Sequence, residues 1–219
     1  MSGALKFLIV PVTAFQQNCS LLWDAHGHAA LVDPGGDVPR LLAEVDRRAL
    51  TLTKILLTHA HLDHCAATAQ LSRERRLPVE GPGRADQFWI EALPAAAAQY
   101  GFPPAASFEP DRWLVDGDTV SVGEETLEVL HCPGHTPGHV VFFHRPTRTA
   151  WVGDVLFAGS VGRTDFPRGD TQALIHSIRE RLFPLGDDVR FVPGHGPMSS
   201  FGAERRTNPF VADRLFGAS

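Results

Sequence analysis

Residues 59–64 read HAHLDH and place three imidazoles and one carboxylate within six positions. They follow the apolar run 54–58 (KILLT), which predicts a strand buried on both faces. Imidazole and carboxylate groups are ligands for zinc, iron and other divalent cations. On a helix His59 and His61 would point apart, so they converge only from an irregular loop. The stretch therefore predicts a metal site at a strand end, against the alternative of a polar loop that happens to hold three histidines.

A second histidine pair, His26 and His28, is predicted to have no such role. It lies between two apolar runs, 21–23 and 29–32, and Gly27 separates the two histidines. Glycine between two apolar runs is typical of a hairpin turn. We therefore expect this pair in an exposed turn.

The composition is that of a soluble globular protein, and we expect one domain over residues 1–219. Hydrophobic residues make up 43% of the chain and charged residues 21%, without a long repeat or charge block. The net charge is −5 and no basic stripe is visible, so no nucleic-acid partner is expected. No apolar run approaches the length of a membrane span, so no membrane association is expected either.

The cysteines and the N-terminus predict a cytoplasmic protein. Cys19, Cys65 and Cys132 cannot all pair within one chain, and their spacing matches no zinc knuckle. This favours a reducing compartment. Residues 1–10 are briefly apolar, but Pro11 interrupts them, which favours a strand over a secretory signal.

The rest of the chain alternates between predicted strands and helices. Strands are predicted at 5–12, 19–23, 29–32, 55–57, 119–122, 127–130, 140–143, 150–152 and 190–192, and helices at 38–50, from His64 onward and at 171–182. Asp37 is the predicted N-cap of the first helix, and residues 84–108 are predicted to be an ordered aromatic excursion. Strands in both halves, interleaved with helices, predict an α/β fold in which two sheets pack face to face, a four-layer αββα sandwich.

Loops after three later strands also contain residues that bind metals. These residues are His135, Asp154 and His195, each flanked by glycine or proline. Glycine and proline let the backbone turn sharply and approach a ligand closely. Taken alone, Asp154 is better explained as a turn-capping residue. Strong metal sites collect ligands from several strand ends, and its membership of this series makes it a candidate ligand.

Five motifs in this order make the sequence resemble the metallo-β-lactamase-fold hydrolases, and within them the glyoxalase II-like branch, the hydroxyacylglutathione hydrolases. The motifs are Val32-Asp33-Pro34-Gly35-Gly36, Thr58-His59-Ala60-His61-Leu62-Asp63-His64, Pro133-Gly134-His135-Thr136-Pro137-Gly138-His139, Gly153-Asp154 and Pro193-Gly194-His195-Gly196. The resemblance implies the metallo-β-lactamase fold and two divalent metal ions. It implies a first metal held by His59, His61, His135 and Asp154, and a second held by Asp63, His64, His195 and the same Asp154.

The resemblance also implies the reaction. Two divalent cations share a hydroxide that attacks a thioester carbonyl, and the substrate is a small-molecule thioester, S-2-hydroxyacylglutathione, which yields a 2-hydroxy acid and glutathione. Asp63 is expected to orient the hydroxide and Asp154 to bridge the metals, so both are assigned catalytic roles. Zinc is the expected metal, although iron and manganese accept the same ligands.

Other polar residues near these motifs are predicted to support the site rather than to bind metal. His139 is assigned a supporting hydrogen bond, and Asp33 a supporting or structural role in an ordinary Asp-Pro-Gly-Gly turn. His131 is not convincing as a ligand. Cys65 and Cys132 are explained as small buried residues.

Arg163 is the predicted substrate contact. It lies in the segment 162–166 (GRTDF), where it can meet a substrate carboxylate or, equally, pair with Asp165 and fix the loop. Two-domain glyoxalase II enzymes grip glutathione with a helical C-terminal domain, and the stretch after His195 is too short for one. We therefore expect weak affinity for glutathione.

Two alternatives to the hydrolase remain open. The segment 162–166 also resembles the persulfide dioxygenases of the same superfamily, which use a single iron held by two histidines and an aspartate. A metal-stabilised binding protein without turnover would instead need a closed, fully protein-ligated metal. A β-lactamase and a nuclease are less favoured, because the sequence shows neither a secretory signal nor a basic insertion.

Overall fold

The computed structural model describes residues 5–217, which form two mixed β-sheets with helices on their outer faces. The first sheet contains β1 (Lys6–Val12), β2 (Gln17–Trp23), β3 (His28–Val32), β4 (Thr51–Leu56) and β5 (Val79–Glu80), in that spatial order. Strands β1 to β3 are antiparallel neighbours, whereas β3, β4 and β5 run parallel.

The second sheet has six strands. They are β6 (Thr119–Val122), β7 (Glu125–His131), β8 (Val140–His144), β9 (Thr149–Gly153), β12 (Arg190–Pro193) and β13 (Ser199–Ser200), in the spatial order β13-β12-β9-β8-β7-β6. Only the β9–β12 pair is parallel. Between β9 and β12 in the chain, β10 (Leu156–Phe157) and β11 (Ser160–Val161) form a separate antiparallel ribbon.

Six α-helices connect the strands of the described chain. They are α1 (Val38–Arg47), α2 (Leu62–Cys65), α3 (Thr68–Arg75), α4 (Gln87–Tyr100), α5 (Thr171–His176) and α6 (Phe201–Thr207). A π-helix at Ser177–Leu182 continues α5, and 3-10 turns occupy Arg84–Asp86, Phe183–Leu185 and Asp213–Leu215. Within residues 5–217 no helix is both long and apolar enough to cross a membrane.

The core separates into layers because side chains alternate between the two faces of each strand. In β8, Val140 and Phe142 join the cluster between the sheets, whereas Val141 and Phe143 join the cluster under the helices. Leu22, Val32, Leu56, Val129 and Trp151 also lie between the sheets. Leu41 of α1, Leu71 of α3 and Ile90 of α4 cover the first sheet, and Leu174 of α5 and Phe201 of α6 cover the second. The predicted αββα sandwich is confirmed.

Strand direction brings the predicted site residues to one edge. The parallel strands β3 and β4 end at Val32 and Leu56, just before Asp33 and the HAHLDH stretch. The parallel strands β9 and β12 likewise end side by side, before Asp154 and His195. Loops that follow parallel strands meet at the carboxyl edge of a sheet.

Several local predictions are confirmed and others are wrong. The His26–His28 pair lies in the β2–β3 hairpin turn, where Gly27 has a φ of 83°. The first helix ends at Arg47 rather than at residue 50, and the helix predicted to begin at His64 begins at Leu62. Of the N-terminal stretch predicted as a strand, residues 1–4 lie outside the described part of the chain.

Asp37 precedes α1 as predicted but does not cap it. Its backbone adopts the left-handed helical conformation, with a φ of 50°, and its side chain makes no capping hydrogen bond. The carboxylate instead accepts a hydrogen bond from the backbone N–H of Thr13, at 2.8 Å. A contact between distant parts of the chain has therefore replaced the local one.

Candidate metal centre

All seven predicted ligands lie together at the carboxyl edge of the sheets. His59 and His61 come from the loop after β4, and Asp63 and His64 from the first turn of α2. The other three come from the second sheet: His135 from the β7–β8 loop, Asp154 from the residue after β9, and His195 from the loop after β12.

Six of the seven residues form two groups of three. The potential ligand atoms of His59, His61 and His135 all lie within 4.8 Å of one another. The same holds for Asp63, His64 and His195, where the Nε2 of His195 lies 3.1 Å from the Oδ2 of Asp63. Each group provides three ligands from different parts of the chain.

Asp154 lies between the two groups. Its Oδ2 is 3.5 Å from the Nε2 of His135 in the first group and 3.8 Å from the Nε2 of His195 in the second. Its Oδ1 is 3.4 Å from the Nε2 of His64. The carboxylate is therefore close to residues of both groups.

Gly194 makes room for this bridge. A Cβ atom at Gly194 would collide with the Oδ1 of Asp154 and would lie 2.6 Å from the Cε1 of His64. Any other residue at this position would push the carboxylate or the imidazole away. The close approach explains why glycine directly precedes His195.

The donor atoms fit divalent cations. Buried polar atoms in proteins almost always have hydrogen-bond partners. Among the described residues, four potential ligand atoms are buried without one: the Nε2 atoms of His59, His61 and His64, and the Oδ1 of Asp154. Unpartnered imidazole nitrogens and a carboxylate oxygen, clustered in one buried site, are donors that zinc, iron or manganese accepts.

The protonation states of the first group also fit a metal, which needs neutral imidazoles. Burial holds the pKa of His59 well below its ordinary value, and the neighbouring His64 and His139 lower it further. Burial lowers the pKa of His61 to about 3. Both rings are therefore neutral at pH 7 and present a lone pair.

The carboxylate between the groups is ionised. Burial acts to raise the pKa of Asp154, but the neighbouring histidines, His64 above all, outweigh it and hold the pKa well below the ordinary range. For His64, burial acts to lower the pKa, but Asp154 and Asp63 raise it well above its ordinary value. A positive charge is thus favoured among these carboxylates, and a cation that binds there would displace the proton of His64.

Neighbouring groups orient the potential ligands. Asp33 is buried and accepts hydrogen bonds from the backbone N–H and the hydroxyl of Thr58, at 2.8 and 2.6 Å. Its Oδ2 also lies 3.0 Å from the Nδ1 of His64, which leaves the Nε2 of that ring for the site. Such contacts fix ring orientation in metal sites. Asp33 therefore makes the supporting contact predicted from the sequence.

His139 also supports the site as predicted. Its Nε2 accepts a hydrogen bond from the backbone N–H of Asp154, at 3.1 Å, and its ring stacks on that of His59 with centroids 4.6 Å apart. The Nε2 of His131 lies 2.9 Å from the carbonyl oxygen of Pro137, away from both groups. The structure confirms that His139 makes a supporting hydrogen bond.

Asp86 lies between two loops of the site, and no sequence motif pointed to it. It is buried and accepts hydrogen bonds from the backbone N–H of Ala60, the hydroxyl of Thr136 and the backbone N–H of Gly138, at 3.1, 2.8 and 2.6 Å. Burial raises its pKa to about 6 against the opposing effect of these bonds. The carboxylate thus joins the HAHLDH loop to the loop that holds His135.

Arg163 makes the loop contact that was predicted as the alternative to substrate binding. Its guanidinium forms two hydrogen bonds with Asp165, at 2.9 and 2.8 Å, and lies 4.5 Å from the ring centroid of Phe166. Its backbone carbonyl lies 2.7 Å from the Nδ1 of His135 and orients that ring.

Cys19, Cys65 and Cys132 are buried and free of disulfides, as small core residues are.

A cavity of about 880 Å³ opens onto the two groups. His61, Asp63, His135, Asp154 and His195 are exposed to it. Apolar side chains form most of its wall, among them Phe15, Leu62, Trp89, Leu93, Phe157 and Phe166. The cavity is large enough for a small organic substrate.

Comparison with known sequences identifies the family. The family model of the metallo-beta-lactamase superfamily matches residues 12–195. The chain belongs to this superfamily. It is 47% identical over 204 residues to hydroxyacylglutathione hydrolase GloC of Haemophilus influenzae, an alignment that covers 93% of this chain and 96% of that protein.

Solved structures agree with this assignment. The crystal structure of BLEG-1 B3 metallo-beta-lactamase matches with a TM-score of 0.87 and 34% identity, over 94% of this chain and 99% of that chain. The crystal structure of TTHA1623 in a di-iron-bound form matches with a TM-score of 0.85 and 39% identity, over 93% and 100% respectively. The predictions of fold and family are confirmed.

Proposed function

We propose that this protein is a metal-dependent thioester hydrolase of glyoxalase II type, which converts S-2-hydroxyacylglutathione and water into a 2-hydroxy acid and glutathione. The observation that carries the proposal is the pair of three-ligand groups joined by Asp154 beneath an open cavity. The similarity to GloC, a relative named for this reaction, supports the choice of substrate.

The proposed ligands divide between two divalent cations. The first is assigned to His59, His61, His135 and Asp154, and the second to Asp63, His64, His195 and Asp154. Zinc suits this mixture of imidazole and carboxylate, and iron and manganese accept it as well. The di-iron form of the similar TTHA1623 makes iron a metal to test alongside zinc.

Hydrolysis needs an activated water and a polarised carbonyl. When bound, two divalent cations lower the pKa of water and polarise a carbonyl oxygen. Asp63 is exposed to the cavity, and we assign it the orientation of the attacking water, whose hydrogen bond it accepts. The water oxygen adds to the carbonyl carbon and loses a proton to solvent, the C–S bond breaks, and the sulfur leaves as a thiolate that takes up a proton from solvent.

Neighbouring residues keep the ligands in place during this reaction. Asp154 is fixed through its backbone N–H by His139, and His135 by the carbonyl of Arg163. Apolar side chains form most of the cavity wall, and they lower the local dielectric, which strengthens electrostatic interactions in the site. Arg163 itself is proposed to contact the substrate only when its pairing with Asp165 opens.

The open cavity favours catalysis over a metal-stabilised binding protein. A structural metal is closed off by its protein ligands, whereas five of the seven potential ligands here line the cavity. We further propose that the enzyme acts in the cytoplasm. This agrees with three buried cysteines that form no disulfide.

Paired assays test the proposal against the dioxygenase alternative. Thiol release from S-2-hydroxyacylglutathione is measured beside persulfide-dependent oxygen uptake, with zinc-loaded and iron-loaded protein. We expect rapid thiol release, abolished in Asp154→Ala, and little oxygen uptake. Oxygen uptake without thiol release in the wild-type protein would replace the hydrolase with a mononuclear iron dioxygenase, which needs only a single iron held by two histidines and an aspartate.

A further inference from the structure

The cavity wall nearest the first ligand group is aromatic. Trp89 of α4 lies against the ring of His61, with centroids 4.6 Å apart at 84°. Phe166 lies against the same imidazole, with centroids 4.9 Å apart at 62°. The two rings are 6.2 Å apart and perpendicular to each other, so they form a corner beside a proposed ligand. We call Trp89 and Phe166 the aromatic corner.

The same wall continues as small apolar side chains of α4. Ala92, Leu93 and Ala96 follow Trp89 along the cavity. Short side chains at Ala92 and Ala96 leave space in front of the aromatic corner. The wall therefore offers a ring-sized apolar surface next to the place where a thioester carbonyl would meet the site.

The charges of the cavity do not match an anionic partner. Arg163 is the one Lys or Arg among the described residues that line it, and its guanidinium is already paired with Asp165. The other ionisable lining groups are Asp63, Asp154, Tyr100 and the histidines of the site. The two carboxylates of a glutathione moiety therefore find no free cation on this wall, and apolar contact must supply most of the selectivity.

We propose that the aromatic corner selects thioesters that carry an aryl group on C2, the carbon next to the thioester carbonyl. Such 2-aryl-2-hydroxyacyl thioesters are preferred over those with a methyl group on C2. This inference rests on the proposed thioester hydrolysis. An aryl ring gains edge or face contact with Trp89 and Phe166, whereas a methyl group leaves the corner empty. One added apolar group in such a pocket changes kcat/KM about tenfold or more.

The test compares S-mandeloylglutathione with S-lactoylglutathione. The two differ only in the substituent on C2 of the acyl group, which is phenyl in the first and methyl in the second. We expect the wild-type enzyme to favour the phenyl substrate about tenfold in kcat/KM. Trp89→Ala removes part of the corner and Ala92→Phe fills the space before it, and both should bring the ratio of the two kcat/KM values toward one. The ratio cancels any loss of metal. Phe210→Ala, at an exposed position outside the cavity, should leave the ratio unchanged.

A binding measurement separates this inference from the proposed function. S-benzylglutathione and S-methylglutathione are thioethers that cannot be hydrolysed, and calorimetry gives their Kd values without turnover. We expect the benzyl compound to bind about tenfold more tightly to the wild type, and this difference to vanish in Ala92→Phe. Equal rates for both thioesters, or a preference that survives in both wall variants, overturns the inference alone. Hydrolysis of neither thioester overturns the proposed function, while the thioether comparison still decides whether the corner selects aryl groups.

Discussion

Replacement of Asp33 by alanine should destabilise the protein through one buried contact network. The carboxylate accepts hydrogen bonds from the backbone N–H and hydroxyl of Thr58 and lies 3.0 Å from the Nδ1 of His64. The hydroxyl has another acceptor, the Nδ1 of His59 at 3.0 Å. The Nδ1 of His64, once it has lost its proton, accepts a hydrogen bond from the Nε2 of Gln17 at 3.3 Å. The backbone N–H of Thr58 is the group left without a partner.

The expected magnitude follows from two effects. A buried N–H without a partner costs about 1–3 kcal/mol. Asp33 also has a φ of 54°, and alanine tolerates this left-handed conformation less well than aspartate by about 1 kcal/mol. Asp33→Ala should therefore lower the free energy of unfolding by roughly 2–4 kcal/mol, a fall in Tm of about 5–15 °C for a chain of this size.

Circular dichroism of the metal-free protein at pH 7 measures this loss, and two variants control it. Asp33→Asn keeps the left-handed preference and one carbonyl acceptor, so its loss should be about half as large. Asp37 is also left-handed, with a φ of 50°, but it is exposed, so Asp37→Ala reports backbone strain with little burial. A Tm of Asp33→Ala within about 2 °C of wild type, or equal to that of Asp37→Ala, would refute the reasoning.

Three further predictions concern the metals and the substrate. Asp154→Ala should lose more metal than any other single ligand variant, because the carboxylate lies between both groups; elemental analysis checks this, and retention of two ions would contradict it. His195→Ala should keep about one metal per chain and lose most thioesterase activity, and unimpaired thiol release would show that the second group is not needed. Hydrolysis of S-2-hydroxyacylglutathione should exceed that of β-lactams by orders of magnitude, and comparable rates would remove the thioesterase assignment.

The sequence predicted which residues meet at this edge, because metal chemistry restricts residue types and strand ends restrict their positions. The HAHLDH stretch is a local signal, readable without any knowledge of tertiary contacts. His135, Asp154 and His195 were found because each follows a strand, and parallel strands end at the same edge. The runs and alternation of apolar residues along the strands likewise predicted the two-sheet core, since successive side chains of a strand point to opposite faces of the sheet.

Contacts between distant parts of the chain could not be predicted in this way. Asp86 occurs in no motif, and its role depends on Ala60 and Gly138 meeting it from two different loops. Trp89 lies on α4, which contains Pro94 and a run of alanines. These residues give no clear helical spacing of apolar and polar side chains, so the segment was predicted only as an ordered excursion. The capping prediction for Asp37 failed for the same reason, because Thr13 lies far from it in sequence.

The central claim is that two cations, held by the two groups and bridged by Asp154, together support thioester hydrolysis. Titration of the metal-free protein with Zn²⁺, with thiol release from S-2-hydroxyacylglutathione measured at each addition, tests it most directly. We expect two ions to bind per chain and activity to rise mainly as the second site fills. Full activity with one ion bound, or two bound ions without thiol release, would contradict it.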